Sequence, residues 1–159
     1  MNIQSTRFGE IEVGDESVLT FPDGLIGLPG TQYALVSVSD ETPFLWLHSV
    51  DHADVALPIT TPWLFFSSYE VRVPEEDARR LELNGPQDAD IFCVVRAAEK
   101  LDGFTINLAG PLIVHKTKRL GRQIINDAGG YPVRQPLFAE VELNEVHAAA
   151  SVPAAATAV

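Results

Sequence analysis

Apolar positions along this chain fall in short runs, and polar or turn-forming residues break them before a helical period can build up. Residues 17–21 (Ser-Val-Leu-Thr-Phe) and 33–38 (Tyr-Ala-Leu-Val-Ser-Val) are rich in β-branched and aromatic side chains, the composition of a half-buried pleated surface. Residues 44–48, 55–59, 91–96, 104–108, 112–115 and 123–126 read the same way. Gly and Pro occur eleven times each, many of them between these runs. The stretch 21–30 (Phe-Pro-Asp-Gly-Leu-Ile-Gly-Leu-Pro-Gly) reads as one long turn-forming loop. Many short strands punctuated in this way predict a mainly β protein, a small antiparallel β-barrel-like single domain.

One segment breaks the pattern. Pro74 suits the first position of a helix, because the N–H it lacks would have no partner there. Glu75, Glu76 and Asp77 complement the positive end of the helix dipole, and Arg79 and Arg80 follow in the favourable order. Ala78, Leu81 and Leu83 give a narrow apolar face, and Gly85-Pro86 supplies a stop. The reading is one short peripheral helix over about residues 74–83. Residues 148–159 carry seven alanines, one proline and no charge. The expected organisation is a domain over 1–146 and a flexible Ala-rich tail over 147–159 without a role in the fold.

The length of 159 residues fits one domain with a true core, and 46% hydrophobic against 21% charged residues excludes a disordered chain. No apolar run approaches the ~18–20 residues of a membrane span, and the first residues show neither a basic nor an apolar signal region. With a single cysteine, Cys93, no intramolecular disulfide is possible. The expectation is a cytoplasmic protein. The net charge of −11 has the wrong sign for a free-standing nucleic-acid binder and suits a basic partner. Residues 1–71 hold ten acids and one base, Arg7, whereas residues 103–126 hold four bases (Lys116, Lys118, Arg119, Arg122) and no acid. No linker separates these stretches, so they read as two faces or ends of one domain.

Catalytic and cofactor signatures are sparse. There is no Gly-x-Ser-x-Gly elbow, P-loop or Cys-x-x-Cys pair, and Gly24, Gly27 and Gly30 have turn spacing rather than a dinucleotide fingerprint. His48 and His52, with Asp51 and Asp54, would share a face only on a helix; on a strand entering a turn they read as polar turn residues, and no metal or cofactor is expected. Cys93 has apolar sequence neighbours and reads as core. The carboxylate clusters lack the apolar framing that raises a catalytic pKa, so an enzyme is not expected. Residues 62–69 carry four aromatics between Trp63 and Tyr69, read first as a strand buried on both faces and second as a protein-binding patch. The basic stretch 116–122 reads as a solvated hairpin, with RNA contact as the weaker alternative.

Several pieces then match, in order, the bacterial flagellar assembly factor FliW family. Thr6-Arg7-Phe8-Gly9-Glu10 resembles its opening, and residues 21–27 resemble its Phe-Pro-x-Gly-Leu-x-Gly loop. Residues 43–49 resemble its Pro-Phe-x-x-Leu-Gln-Ser segment, and Pro62 and Tyr69 fit the next loop. Residues 105–111 resemble Thr-x-Asn-Leu-x-x-Pro, and 121–125 and 131–137 resemble the last two blocks. Together they span about residues 3–138. His48 stands where glutamine is usual, and Leu28-Pro29 replaces a Phe-Glu type ending.

The resemblance implies a non-catalytic, β-barrel-like cytoplasmic protein that binds flagellin and acts in its assembly. It also implies binding to the carbon storage regulator CsrA, a small basic RNA-binding dimer, whose repression of flagellin translation the family relieves allosterically. Direct nucleic-acid binding and membrane association are not implied. Phe21, Pro22, Gly24 and Asn107 are expected to shape turns and strands. Asp15, Glu16, Asp23, Phe65 and Tyr69 are the candidate partner contacts, as acidic or aromatic groups near the matching motifs. The competing readings are a β-barrel ligand-binding protein or enzyme with an internal pocket, and an RNA-binding barrel using residues 116–122.

Overall fold

A computed structural model describes residues 1–138 and, further on, the pair Thr157–Ala158. The chain opens with a hairpin of β1 (Asn2–Ser5) and β2 (Gly9–Glu12), which forms its own two-stranded sheet. The second sheet takes β3 (Val18–Thr20), β4 (Gln32–Ser37), β5 (Phe44–Ser49), β6 (Ala56–Thr60), β7 (Ala89–Arg96), β8 (Thr105–Ile106), β9 (Leu112–His115), β10 (Gly121–Gln123), β11 (Gln135–Pro136) and β12 (Thr157–Ala158). Its main path runs β10-β9-β7-β6-β5-β4, with β3 and β12 on the free edge of β4 and β8-β11 against the end of β7. All these pairings are antiparallel.

The expected barrel is not closed: the sheet is open. Its two ends meet at one isolated parallel bridge, Thr20–Leu120, where the Thr20 N–H donates to Arg119 O (2.9 Å). The ladder cannot continue past it. Phe21 N–H faces the opposite side, where it donates to Thr31 O (2.7 Å), and the next residue that faces the seam, Pro22, has no N–H to donate. A side chain fills the seam instead: a Cβ placed on Gly121 would lie 2.4 Å from the Phe21 ring. The missing side chain at Gly121 is what lets the ring sit there.

Inside the curl, Leu19, Phe21, Tyr33, Leu35, Leu47, Ile59, Leu112 and Val114 form one buried cluster. On the other face of β4 and β5, Ala34, Val36 and Trp46 pack against Ile3, Phe8 and Ile11 of the β1–β2 hairpin. Strands covered on both faces explain why these segments read as continuous apolar runs rather than alternating ones. The hairpin went unpredicted because its alternation, Ile3, Ser5, Phe8, Ile11, is sparse and broken by polar residues. A third cluster brings Phe44, Tyr69, Cys93, Val95, Phe104 and Phe138 together.

The helix, α1 (Glu75–Arg80), is peripheral but shorter than expected, and Pro74 is its N-cap rather than its first residue. It ends in a Schellman arrangement: Leu83 N–H donates to Ala78 O (2.9 Å) and Glu82 N–H to Arg79 O (3.0 Å). Glu82 takes the left-handed conformation (φ 58°) that glycine usually supplies. The signal sought, Gly85, lies three residues too late. Leu81 is buried against Ile113 and Ile124 on the outer face of the sheet.

One more expectation changes. Residues 62–69 are not a strand; Pro62–Leu64 is a single 3-10 turn followed by irregular chain. The expected domain end at 146 and most of the expected tail lie outside the described residues; Thr157 and Ala158 pair with Ser37 and Val36.

Candidate functional site

The loop 21–30 is built from two turns, each closed by a glycine with positive φ. In the first, Gly24 N–H donates to Phe21 O (2.8 Å) and Gly24 has φ 72°. In the second, Leu28 N–H donates to Leu25 O (3.1 Å), with Gly27 at φ 76° in the third turn position. Leu25 turns inward and is buried, while Ile26 occupies the outer corner and is 84% exposed. Tyr33 Oη donates to Pro29 O (2.6 Å) and anchors the far side of the loop to β4.

A second wall faces this loop. Asn107 Oδ1 accepts from the N–H groups of Ala109 (3.1 Å) and Gly110 (2.8 Å), shaping the turn between β8 and β9. Gln123 on β10 ties the two walls together. Its Oε1 accepts from Ile26 N–H (3.3 Å) and its Nε2 donates to Gly110 O (3.2 Å). Between the walls lies a groove of about 720 Å³, lined by Leu25, Leu28, Leu57 and Val94, with Ile125 and Val133 on its rim. The rim residues Ile26, Ile125 and Val133 are 84%, 82% and 60% exposed. Arg96 and Arg134 also line it, and among the described residues no Asp or Glu does.

The candidate contact residues do not converge on this groove or on each other. Asp15 and Glu16 are exposed on a 3-10 turn before β3, without an ion-pair partner among the described residues. Asp23 lies at the other end of β3 and binds Arg122, which Asp77 also holds. Phe65 is half-buried and stacks on Phe44 (ring centroids 6.0 Å apart). Tyr69 is buried, so it is not a surface contact here: its hydroxyl donates to Leu108 O (2.7 Å) and accepts from Asn126 Nδ2 (3.2 Å). Burial, chiefly, raises its pKa. Of the turn-shaping residues, Phe21 fills the seam, Pro22 follows it on the surface, and Gly24 and Asn107 make the turns described above.

Other candidate chemistry is occupied. His48 is fully buried, with Nδ1 on Ser49 O (2.7 Å) and Nε2 on Ser5 Oγ (2.8 Å). It ties the β1–β2 hairpin to β5 and has no free ring nitrogen for a metal. His115 is also buried, and its Nδ1 accepts from the N–H groups of Thr117 and Lys118 (3.2 Å each). Burial pushes the Cys93 thiol up to about 12, so it is neither a nucleophile nor a ready metal ligand. The basic stretch forms the β9–β10 hairpin, with Lys118 bound to Glu82 (2.9 Å), Lys116 at 4.0 Å from Asp90, and Arg122 held by Asp23 and Asp77. Its charges are largely neutralised locally, which weakens the RNA reading.

The groove residues Ile26, Ile125 and Val133 were not singled out from the sequence. A signal existed for one of them: glycine in the third position of a turn sets the residue before it at the exposed corner, so Leu-Ile-Gly-Leu points to Ile26.

An open, curled antiparallel sheet with an apolar groove that Arg96 and Arg134 help to line defines a small, mainly β scaffold. The chain belongs to the FliW protein family, whose model matches residues 2–137. The flagellar assembly factor FliW of Desulfitobacterium hafniense (strain Y51) is 36% identical over 146 residues, covering 91% of this chain and 96% of that protein. The corresponding factor of Magnetococcus marinus is 37% identical over 140 residues, covering 87% of this chain and 85% of that protein. A crystal structure of the flagellar assembly factor FliW superposes with a TM-score of 0.80 at 28% identity, covering 87% of this chain and 98% of that one.

Proposed function

We propose that this chain is a non-enzymatic flagellar assembly factor that binds flagellin in the cytoplasm and antagonises CsrA allosterically, relieving repression of flagellin translation. Membership of the FliW family over nearly the whole domain carries the reading. The net charge of −11 supports a basic second partner, because opposite charge speeds and orients encounter. Asp15 and Glu16, exposed and without a salt bridge among the described residues, are the acidic positions best placed to serve it. Asp23 is the weaker choice, since Arg122 competes for it.

A switch requires negative coupling between the two partners. Because the sheet is a rigid scaffold, overlapping surfaces are the simplest source of it. Calorimetry of the purified chain with its host's flagellin and CsrA, singly and together at two salt concentrations, tests the reading. The expected result is that each partner binds alone, that the CsrA affinity falls with salt, and that the two exclude one another. Binding to neither would overturn the reading; a ternary complex at full strength would overturn the coupling.

A further inference from the structure

We infer that the groove between the 21–30 loop and the β8–β9 turn docks an apolar peptide segment of a partner protein, flanked by carboxylates that meet Arg96 and Arg134. The inference goes beyond the functional reading above and does not rest on it.

Size and exposure point to a macromolecule. A volume of about 720 Å³ is in the range of small-ligand pockets, but such pockets enclose most of their ligand. Here much of the apolar surface lies on the rim rather than inside. A body resting only on the floor residues Leu57 and Val94 leaves the tips of Ile26 and Ile125 in water, and both are more than four-fifths exposed. An occupant long enough to pass over both walls covers them. Contiguous exposed aliphatic surface around a depression is the mark of a protein-binding site.

Charge selects the kind of segment. The chain has 22 acidic and 11 basic residues, yet among the described residues the groove is lined by two arginines and no acid. Several other cations are held by carboxylates, Arg79 and Arg80 by Glu76, Lys118 by Glu82, and Arg122 by Asp23 and Asp77, whereas Arg7, Arg72, Lys100 and Arg119 lie away from the groove lining. Arg96 and Arg134 are exposed and have no carboxylate partner among the described residues. Two guanidinium groups without a carboxylate partner among the described residues, beside an aliphatic trough, favour carboxylates next to an apolar stretch. Nucleic acid fits less well, because the rim offers isoleucine and valine rather than the aromatic platforms on which bases stack.

The walls are preorganised. Gln123 holds the loop and the β8–β9 turn at a fixed separation through its two hydrogen bonds, so the segment meets a formed trough.

Amide chemical shifts of the ¹⁵N-labelled full chain test the inference with three synthetic nonapeptides: alternating Leu and Glu, alternating Leu and Lys, and alternating Ser and Glu. The Leu/Glu peptide is expected to shift Ile26, Leu57, Gln123, Ile125 and Val133 saturably, with at least tenfold weaker binding of the other two. The paired substitution Arg96→Glu and Arg134→Glu reverses the preference toward Leu/Lys, and Ile125→Ser weakens Leu/Glu binding at least tenfold with the rest of the spectrum unchanged. Equal response to Leu/Glu and Leu/Lys, or shifts confined to other surfaces, would overturn it. So would shifts of the same amides with protein concentration alone, which would make the occupant a second copy. A response of these amides to Glu140→Gln, Glu142→Gln and Glu145→Gln without added peptide would make it the chain's own C-terminal segment, and would overturn it too.

Discussion

The loop 21–30 and the turn 62–69 look alike in composition, and the structure uses them in opposite ways. Both begin near a proline and both carry large apolar side chains in irregular chain. In the first, the aromatic residue Phe21 is fully buried and an aliphatic residue, Ile26, is thrown outward to a groove. In the second, the aromatics stay largely within the molecule: Tyr69 in the core, Phe65 stacked on Phe44, and the partly exposed Trp63 donating Nε1–H to Tyr69 O (2.7 Å). Aromatic density marks where the chain packs. Turn geometry, set by Gly27, marks where it projects. A contact surface read from aromatic density and one read from turn geometry therefore fall on different loops.

The sharpest way to break this comparison is to remove the buried anchor of the first loop. Phe21 seals the seam between Thr20 and Leu120 and packs edge-on against Tyr33 (ring centroids 6.0 Å apart). Phe21→Ala is expected to lower unfolding free energy by about 3–5 kcal/mol, measured by urea denaturation. Gly121→Ala, which drives a methyl into the same ring, is expected to cost about 1–3 kcal/mol. A loss below about 0.5 kcal/mol for Phe21→Ala would show that the loop is not anchored through this ring.

The second region is tested through the buried thiol on β7 that its Tyr69 touches, with Cys93 Sγ 3.9 Å from Tyr69 Oη. The Cys93 pKa, raised to about 12 by burial, exceeds its ordinary value near 9. The native state therefore holds the proton more tightly than the unfolded chain. Stability from this group is fully present below pH 9 and is lost as pH rises from 9 to 12, up to about 4 kcal/mol. Tyr69 contributes in the same direction at higher pH. Denaturation midpoints should be flat with respect to Cys93 up to pH 9 and then fall, and Cys93→Ala should flatten the first part of that fall. An unchanged alkaline slope in the variant would remove the thiol as its source.

Tyr69→Phe separates the tyrosine's ring from its hydroxyl. The ring contacts to Trp63 and Tyr131 survive, but Leu108 O loses its donor inside the protein. The expected cost is about 1–3 kcal/mol, the penalty for a buried polar group left unpaired. If stability is unchanged while partner binding is lost, Tyr69 reaches the surface in solution and the contrast between the two loops fails.

Much of the fold was legible because strands covered on both faces leave continuous apolar runs: β4, β5, β7 and β9 stand near where the pattern puts them. The β1–β2 hairpin was not, since only its inward residues are apolar and its register depends on packing against Trp46. Barrel closure was not legible either, because it stops at one bridge between residues a hundred apart, Thr20 and Leu120, where the next donor position on the seam is Pro22. The family motifs were legible as motifs, but several of their residues build turns, and the groove those turns enclose is lined from β6, β7, β8 and β10, far apart in sequence.

The smallest expected effect is the most discriminating. Ile26→Ser removes an exposed side chain from a turn corner held by backbone hydrogen bonds and Gly27, none of which it touches. Stability should stay within about 0.5 kcal/mol of the parent, as for surface substitutions generally. Leu64→Ser on the other turn, at 64% exposure, should be equally silent in stability. The two variants differ only in what each surface is for. Binding of an acidic apolar segment should weaken with Ile26→Ser and stay at parent strength with Leu64→Ser. The reverse order would return the contact surface to the aromatic turn, and with it the rule that aromatic density marks where this chain is touched.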